Sequence, residues 1–165
     1  MCRRRVYFSQ GTIDSNIRYG KPEITDAQVK EAAEVAQATE FIDTKPEKYE
    51  SPVSQGGTNV SGGQKQRLSI ARAIAKDPEI FIFDDSFSAL DFKTDSQLRK
   101  ALKEYTKDAT TVIVAQRIST ILGADQIIVL DDGHMAGIGT HKELMANCEV
   151  YQQIARSQLS EEELA

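Results

Sequence analysis

Residues 60–91 read VSGGQKQRLSIARAIAKDPEIFIFDDSFSALD, a capped helix running into an apolar strand that ends in acid. Ser61 followed three residues later by Gln64 is a capping-box pattern, so a helix is predicted to open there. It runs to Ala75 and stops at Asp77-Pro78, because the residue before a proline is pushed out of helical backbone. Ile80-Phe81-Ile82-Phe83 then has the continuous apolar character of a strand buried on both faces. It ends in Asp84-Asp85, at the carboxyl end of the strand, where open α/β sheets place their ligands. Gly62 and Gly63 have no Cβ atoms, so an anion could approach their N–H groups at the positive end of the helix. A plain N-cap before a flexible first turn is the competing explanation.

Outward from this stretch the same signals recur. Thr25 with Gln28 opens an Ala-rich helix to about Ala38. Thr94 with Gln97 opens one whose Leu98, Ala101, Leu102 and Tyr105 form a single stripe, and Thr140 with Glu143 opens another. A last helix covers about Val150 to Leu159, ahead of the acidic residues 161–163. Strands are predicted at Thr110–Ala115, at Gln126–Leu130 and, after an Asp132-Gly133 turn, at His134–Ile138. Strands alternating with helices imply an α/β fold with a parallel sheet, its first two strands covered on both faces. Pro22 to Ala75 shows helices and a Ser51–Thr58 loop with no strand. The expected organisation is a leading segment 1–20, a helical subdomain 21–76 and an α/β part 77–165.

The composition permits this and excludes much else. The chain has 165 residues, 20 Lys+Arg against 25 Asp+Glu, and 40% hydrophobic residues, enough for one domain with a core. A net charge of −5 leaves no basic face for phosphate backbones; the basic run Arg3–Arg5 is short. No apolar run reaches the roughly 18 residues of a spanning helix, and VYFSQGTI after the basic start is too broken for an export signal. Cys2 and Cys148 lack metal-ligand spacing and suit a reducing compartment, so the cytoplasm is expected. His134 and His141 stand in different elements with no third ligand nearby. Lys65, Arg67 and Arg72 are expected on a solvated helix face.

A phosphate-binding helix start followed by a strand-end acid pair needs a joint explanation. The stretch resembles the signature sequence, Walker B motif and D-loop of ATP-binding cassette ATPases. Phe8 with Gly11-Thr12-Ile13 and Asn16-Ile17 to Gly20 resembles the segment after the Q-loop in exporter-type cassettes, and GIGTHKELM at Gly137 to Met145 resembles their C-terminal end. The resemblance implies a P-loop cassette fold, ATP and Mg²⁺ as ligands, and head-to-tail pairing of two cassettes. Asp84 would hold Mg²⁺, partly through water. Asp85 would orient the attacking water, with Gln116 and Asp91 also lining this subunit's own site. Ser61, Gly62, Gly63 and Gln64 would complete the partner's site.

Departures from the pattern are as informative. Asp85 stands where the family has Glu, shortening the reach by more than about 1 Å, a misplacement that costs about a hundredfold in rate. Gln116 stands where the family has His, in AQRIST. An amide can hydrogen-bond a phosphate but cannot become cationic. Together these resemble the degenerate half of a heterodimeric exporter. No G-x-x-x-x-G-K-[ST] loop occurs in the chain, and no Gln lies near Arg4 where the Q-loop is expected. The expectation is the C-terminal part of a longer exporter, its membrane domain upstream, on the cytoplasmic side of the membrane. The alternatives are a cassette fragment that binds no nucleotide, or a non-transport member of the family.

Overall fold

A computed structural model describes residues 7–160, and the chain divides into two compact units, with the boundary between Val114 and Ala115. The expected Q-loop position near Arg4, Cys2 and the acidic residues 161–163 lie outside the described residues.

In the first unit β1 (Gly11–Thr12) leads into α1 (Ile13–Ile17), followed by α2 (Asp26–Val35), α3 (Thr39–Asp43), β2 (Pro52–Val53), α4 (Gly62–Ile74), β3 (Ile80–Asp84), α5 (Phe92–Tyr105) and β4 (Thr110–Val114). Thr25 and Ser61 cap α2 and α4 through full capping boxes with Gln28 and Gln64. Helix α2 is shorter than expected, because Gln37 takes a left-handed backbone (φ 54°) and turns the chain into α3. Helix α5 begins earlier than Thr94: Asp91 is its N-cap and accepts a bond from the Thr94 amide. The Ser51–Thr58 loop does contain a strand, since Pro52–Val53 pairs antiparallel with Gly11–Thr12.

Helix α4 organises this core. Its Leu68, Ile70, Ala71 and Ile74 join Val29, Ala32 and Ala33 of α2, Phe8, Ile13 and Ile17, Phe81 and Phe83 of β3, and Leu98 of α5 in one buried cluster. Arg67 and Arg72 of α4 correct the solvated-face expectation. Arg72 lies 4.9 Å over the Phe8 ring and 5.0 Å over Tyr19, and donates to the Asn16 and Tyr7 carbonyls. Arg67 lies 4.9 Å over Phe41 and donates to the Gln37 carbonyl at 2.9 Å. Burial lowers the pKa of Arg67, opposed in part by Glu40. These guanidiniums spread their flat faces on aromatic rings, which the compact ammonium of Lys65 has no means to do.

Strands β3 and β4 are parallel, in register from Ile80↔Thr110 to Asp84↔Val114. The expectation of strands covered on both faces holds for one face of β3 and for neither face of β4, where Ile113 alone is half-buried against the core. Phe81 and Phe83 are buried, whereas Ile80 (57%), Val112 (46%) and Val114 (54%) are exposed.

In the second unit β5 (Ile127–Asp131) and β6 (His134–Gly139) form an antiparallel hairpin, followed by α6 (His141–Asn147) and α7 (Glu149–Gln158). Asp132 and Gly133 both take positive φ, 45° and 79°, as a tight hairpin turn requires. Ile127 and Val129 pack inward with Ile118, Leu144, Tyr151 and Ala155. Ile128, Leu130, Met135 and Ile138 occupy the outward face. Gly137 lets β6 approach the junction of α6 and α7, for a Cβ there would sit 2.9 Å from the Cys148 sulfur. Among the described residues no helix is long and apolar enough to cross a membrane.

Candidate functional site

The first turn of α4 and the loop after β3 form one structure. Ser61 Oγ accepts from the Gln64 amide at 3.3 Å, and the Gln64 side chain accepts from the Ser61 amide at 3.1 Å. That reciprocal cap leaves the amides of Gly62 and Gly63 as the helix's unpaired N-terminal donors. Ser61 and Gly62 are exposed and no acidic residue occupies the first turn, so the positive end of a 13-residue helix is open to an anion.

The two glycines have a second purpose. A Cβ on Gly63 would stand 3.2 Å from the Ala89 carbonyl oxygen, and one on Gly62 would lie 3.8 Å from the Ala89 Cβ. Residues 86–90, which follow the acid pair, therefore lie directly against the helix start. Gln66 fastens them there: its side-chain carbonyl accepts from the Ala89 amide at 2.9 Å, and its NH₂ donates to Ser88 Oγ at 3.3 Å and to the Asp85 carbonyl at 3.4 Å. Sequence reasoning overlooked Gln66. Its only signal was a neutral amide between Lys65 and Arg67, both charged.

Asp84 closes β3 and is half-buried. Asp85 follows in left-handed backbone (φ 47°), its amide extending the ladder to the Val114 carbonyl at 3.1 Å. Among the described residues no group of three or more His, Cys, Asp or Glu could hold a metal ion. One strand-end carboxylate with a second beside it fits Mg²⁺, which keeps several waters and draws other ligands from phosphate, and does not fit a metal needing an all-protein cage.

Asp91 is exposed and holds the start of α5 through the Thr94 amide at 3.0 Å. The Thr94 amide and hydroxyl keep its carboxyl below the usual range, and those of Thr140 do the same for Glu143, the capping partner of α6. A depressed folded-state pKa gives stabilisation that is present above about pH 4 and is lost as pH falls through the depressed value. Thermal melts from about pH 6 to about pH 3 should therefore show an acid limb that is shallower in Asp91→Asn, which retains the capping oxygen. An identical limb in that variant would contradict the assignment.

Gln116 lies in the second unit, exposed, just after β4. Its carbonyl accepts from the Gln158 side chain at 2.9 Å. His141 is engaged with the Tyr151 hydroxyl at 2.8 Å, and burial raises the Tyr151 pKa.

The family model described as ABC transporter matches residues 3–88. An uncharacterized ABC transporter ATP-binding protein of Mycobacterium tuberculosis is 46% identical over 158 residues, 94% of this chain and 27% of its own length. A Staphylococcus aureus protein that bears the name multidrug export ATP-binding/permease protein is 46% identical over 149 residues, 90% of this chain and 26% of its own length. The structure of a bacterial Atm1-family ABC exporter with ATP bound superposes with a TM-score of 0.91 at 35% identity, covering 96% of this chain and 28% of that one. The chain thus spans about a quarter of the length of the relatives it matches.

Proposed function

This chain belongs to the ABC transporter family, with an α/β fold of the P-loop NTPase type, and on that footing we propose that it is the C-terminal part of the nucleotide-binding domain of an exporter. In this reading it binds ATP with Mg²⁺ and couples hydrolysis to transport through a membrane domain, as the name of the Staphylococcus relative joins ATP-binding and permease functions. The cassette is incomplete in this chain, residues 21–76 serving as its helical signature subdomain and 77–165 as part of its α/β core. It lies at the cytoplasmic side of the membrane. Its partner is a second, non-identical cassette subunit packed head to tail.

The observation that carries this proposal is the joining of the α4 N-terminus to the loop after Asp85 through Gln66 and the Gly63–Ala89 approach. One rigid piece then presents Ser61, Gly62 and Gly63 to a γ-phosphate in the partner's site and Asp84 and Asp85 to this subunit's own. When bound, Mg²⁺ neutralises charge on the phosphate oxygens, with Asp84 its ligand in this chain. Asp85, one methylene short of Glu, orients water poorly. Gln116 donates its amide to the γ-phosphate and cannot supply a positive charge. Asp91 fixes the start of α5. This subunit's own site is therefore slow, and its main contribution is the signature end it lends to the partner.

Co-expression tests the pairing. The full-length subunit purified alone should hydrolyse ATP at least about a hundredfold more slowly than when assembled with a subunit that carries Glu and His at the equivalent positions. Equal rates would refute the non-identical pair and favour a self-sufficient homodimer. No ATP binding in either form would refute the reading as an ATP-hydrolysing subunit.

A further inference from the structure

Gln158, the last residue of α7, makes two hydrogen bonds to backbone about forty residues earlier. Its Oε1 accepts from the Ile118 amide at 2.9 Å, and its Nε2 donates to the Gln116 carbonyl at 2.9 Å. A single primary amide thus satisfies a donor and an acceptor two residues apart, as a neighbouring strand would. The anchoring on either side is apolar. Tyr151 (1% exposed), Ala155 (0%) and Leu159 (9%) recur at four-residue spacing and bury α7, while the Ile118 side chain (4%) sits in the same cluster. The backbone from Gln116 to Ile118 is consequently held from both ends. Its carbonyl and amide are fixed by Gln158, and its far side chain is fixed by packing.

We propose that Gln158 is a positioning residue for Gln116, so that the C-terminal helix sets how the Gln116 side chain is presented to a phosphate. The catalytic part of this inference rests on the function proposed above; the clamp itself does not. Only Gln fulfils both bonds. Glu would still accept from the Ile118 amide but would set a carboxylate against the Gln116 carbonyl, Asn is a methylene too short, and Leu makes neither bond.

Hydrogen exchange on the 165-residue chain without nucleotide tests the clamp. In Gln158→Leu the Ile118 amide should exchange about tenfold faster or more, the equivalent of one lost hydrogen bond, while the Leu144 amide in α6 is unchanged. Unchanged exchange at Ile118 overturns the clamp. A general rise that includes Leu144 would mean that α7 has come undone, and Gln158→Glu, which keeps the bond to Ile118, must then show intermediate protection of Ile118 or the clamp is likewise overturned.

The positioning role is read from ATP retention at this subunit's own site in the assembled full-length pair. Gln158→Leu and Gln116→Ala should each shorten retention, and the double variant should be no worse than Gln116→Ala alone, because both act through one side chain. Additive losses overturn the positioning role. A Gln116→Ala variant with normal retention overturns the phosphate role of Gln116, and with it the positioning role, while leaving the exchange result to decide the clamp.

Discussion

In the assembled transporter Ser61→Asp is expected to lower ATP hydrolysis by about a hundredfold or more, the loss seen when one preorganised donor is removed from a developing anion, with repulsion added. The choice of Asp separates two roles of the same hydroxyl. Asp caps a helix as well as Ser does, and it favours the positive end of the helix dipole. If Ser61 only capped α4, the variant would melt no lower than the parent and would turn over normally. If Ser61 faces a γ-phosphate, a carboxylate there excludes the nucleotide in the partner's site. Ser61→Arg, which fills the site and removes the cap at a cost of about 1 kcal/mol, should give the same loss of turnover together with a lower melting temperature. Retained hydrolysis in both variants would show that this helix end does not act in trans.

Restoring Glu at Asp85 together with His at Gln116 should do the opposite. With the partner's own site inactivated, turnover by the pair reports this subunit's site. The double variant should raise it about a hundredfold, the combined return of a general base with correct reach and of a side chain able to carry positive charge. With the partner's site intact the gain in total hydrolysis is smaller, because one working site already dominates. An unchanged or lower rate in the double variant would dismiss the idea that these two positions make the site slow.

Much of the fold was legible because its determinants are local. Thr25, Ser61 and Thr140 each meet their capping partner three residues on, and the Asp132-Gly133 turn carries its own positive-φ chemistry. The misreadings occurred where a local signal met a competitor. Thr94 and Gln97 have the spacing of a cap, but Asp91 stands three residues before Thr94 and takes its amide, making Thr94 the third residue of α5. Pro52 disguised β2, since a strand of two residues with one amide missing leaves no periodicity to read. Arg67 and Arg72 looked like solvent-facing charges because their partners, Phe41, Phe8 and Tyr19, are distant in sequence. The candidate site divides in the same way. Ser61, Gly62, Gly63, Asp84 and Asp85 were visible in one continuous stretch, whereas Gln66 and Gln158 became meaningful only when folding supplied their partners.

The left-handed backbone at Asp85 bears on how such a subunit could arise. Among residues with a Cβ, Asp and Asn enter that conformation most readily, while longer side chains are strained there by about 1 kcal/mol. If the position serves turnover as proposed, a Glu there would have to be maintained by selection against the preference of its own peptide. Once a partner subunit supplies the chemistry, that selection lapses, and mutational drift favours the residue the main chain already prefers. On the function proposed above, Asp85 would record a relaxed constraint resolved in favour of folding, at a position where losing catalysis and gaining stability are the same substitution.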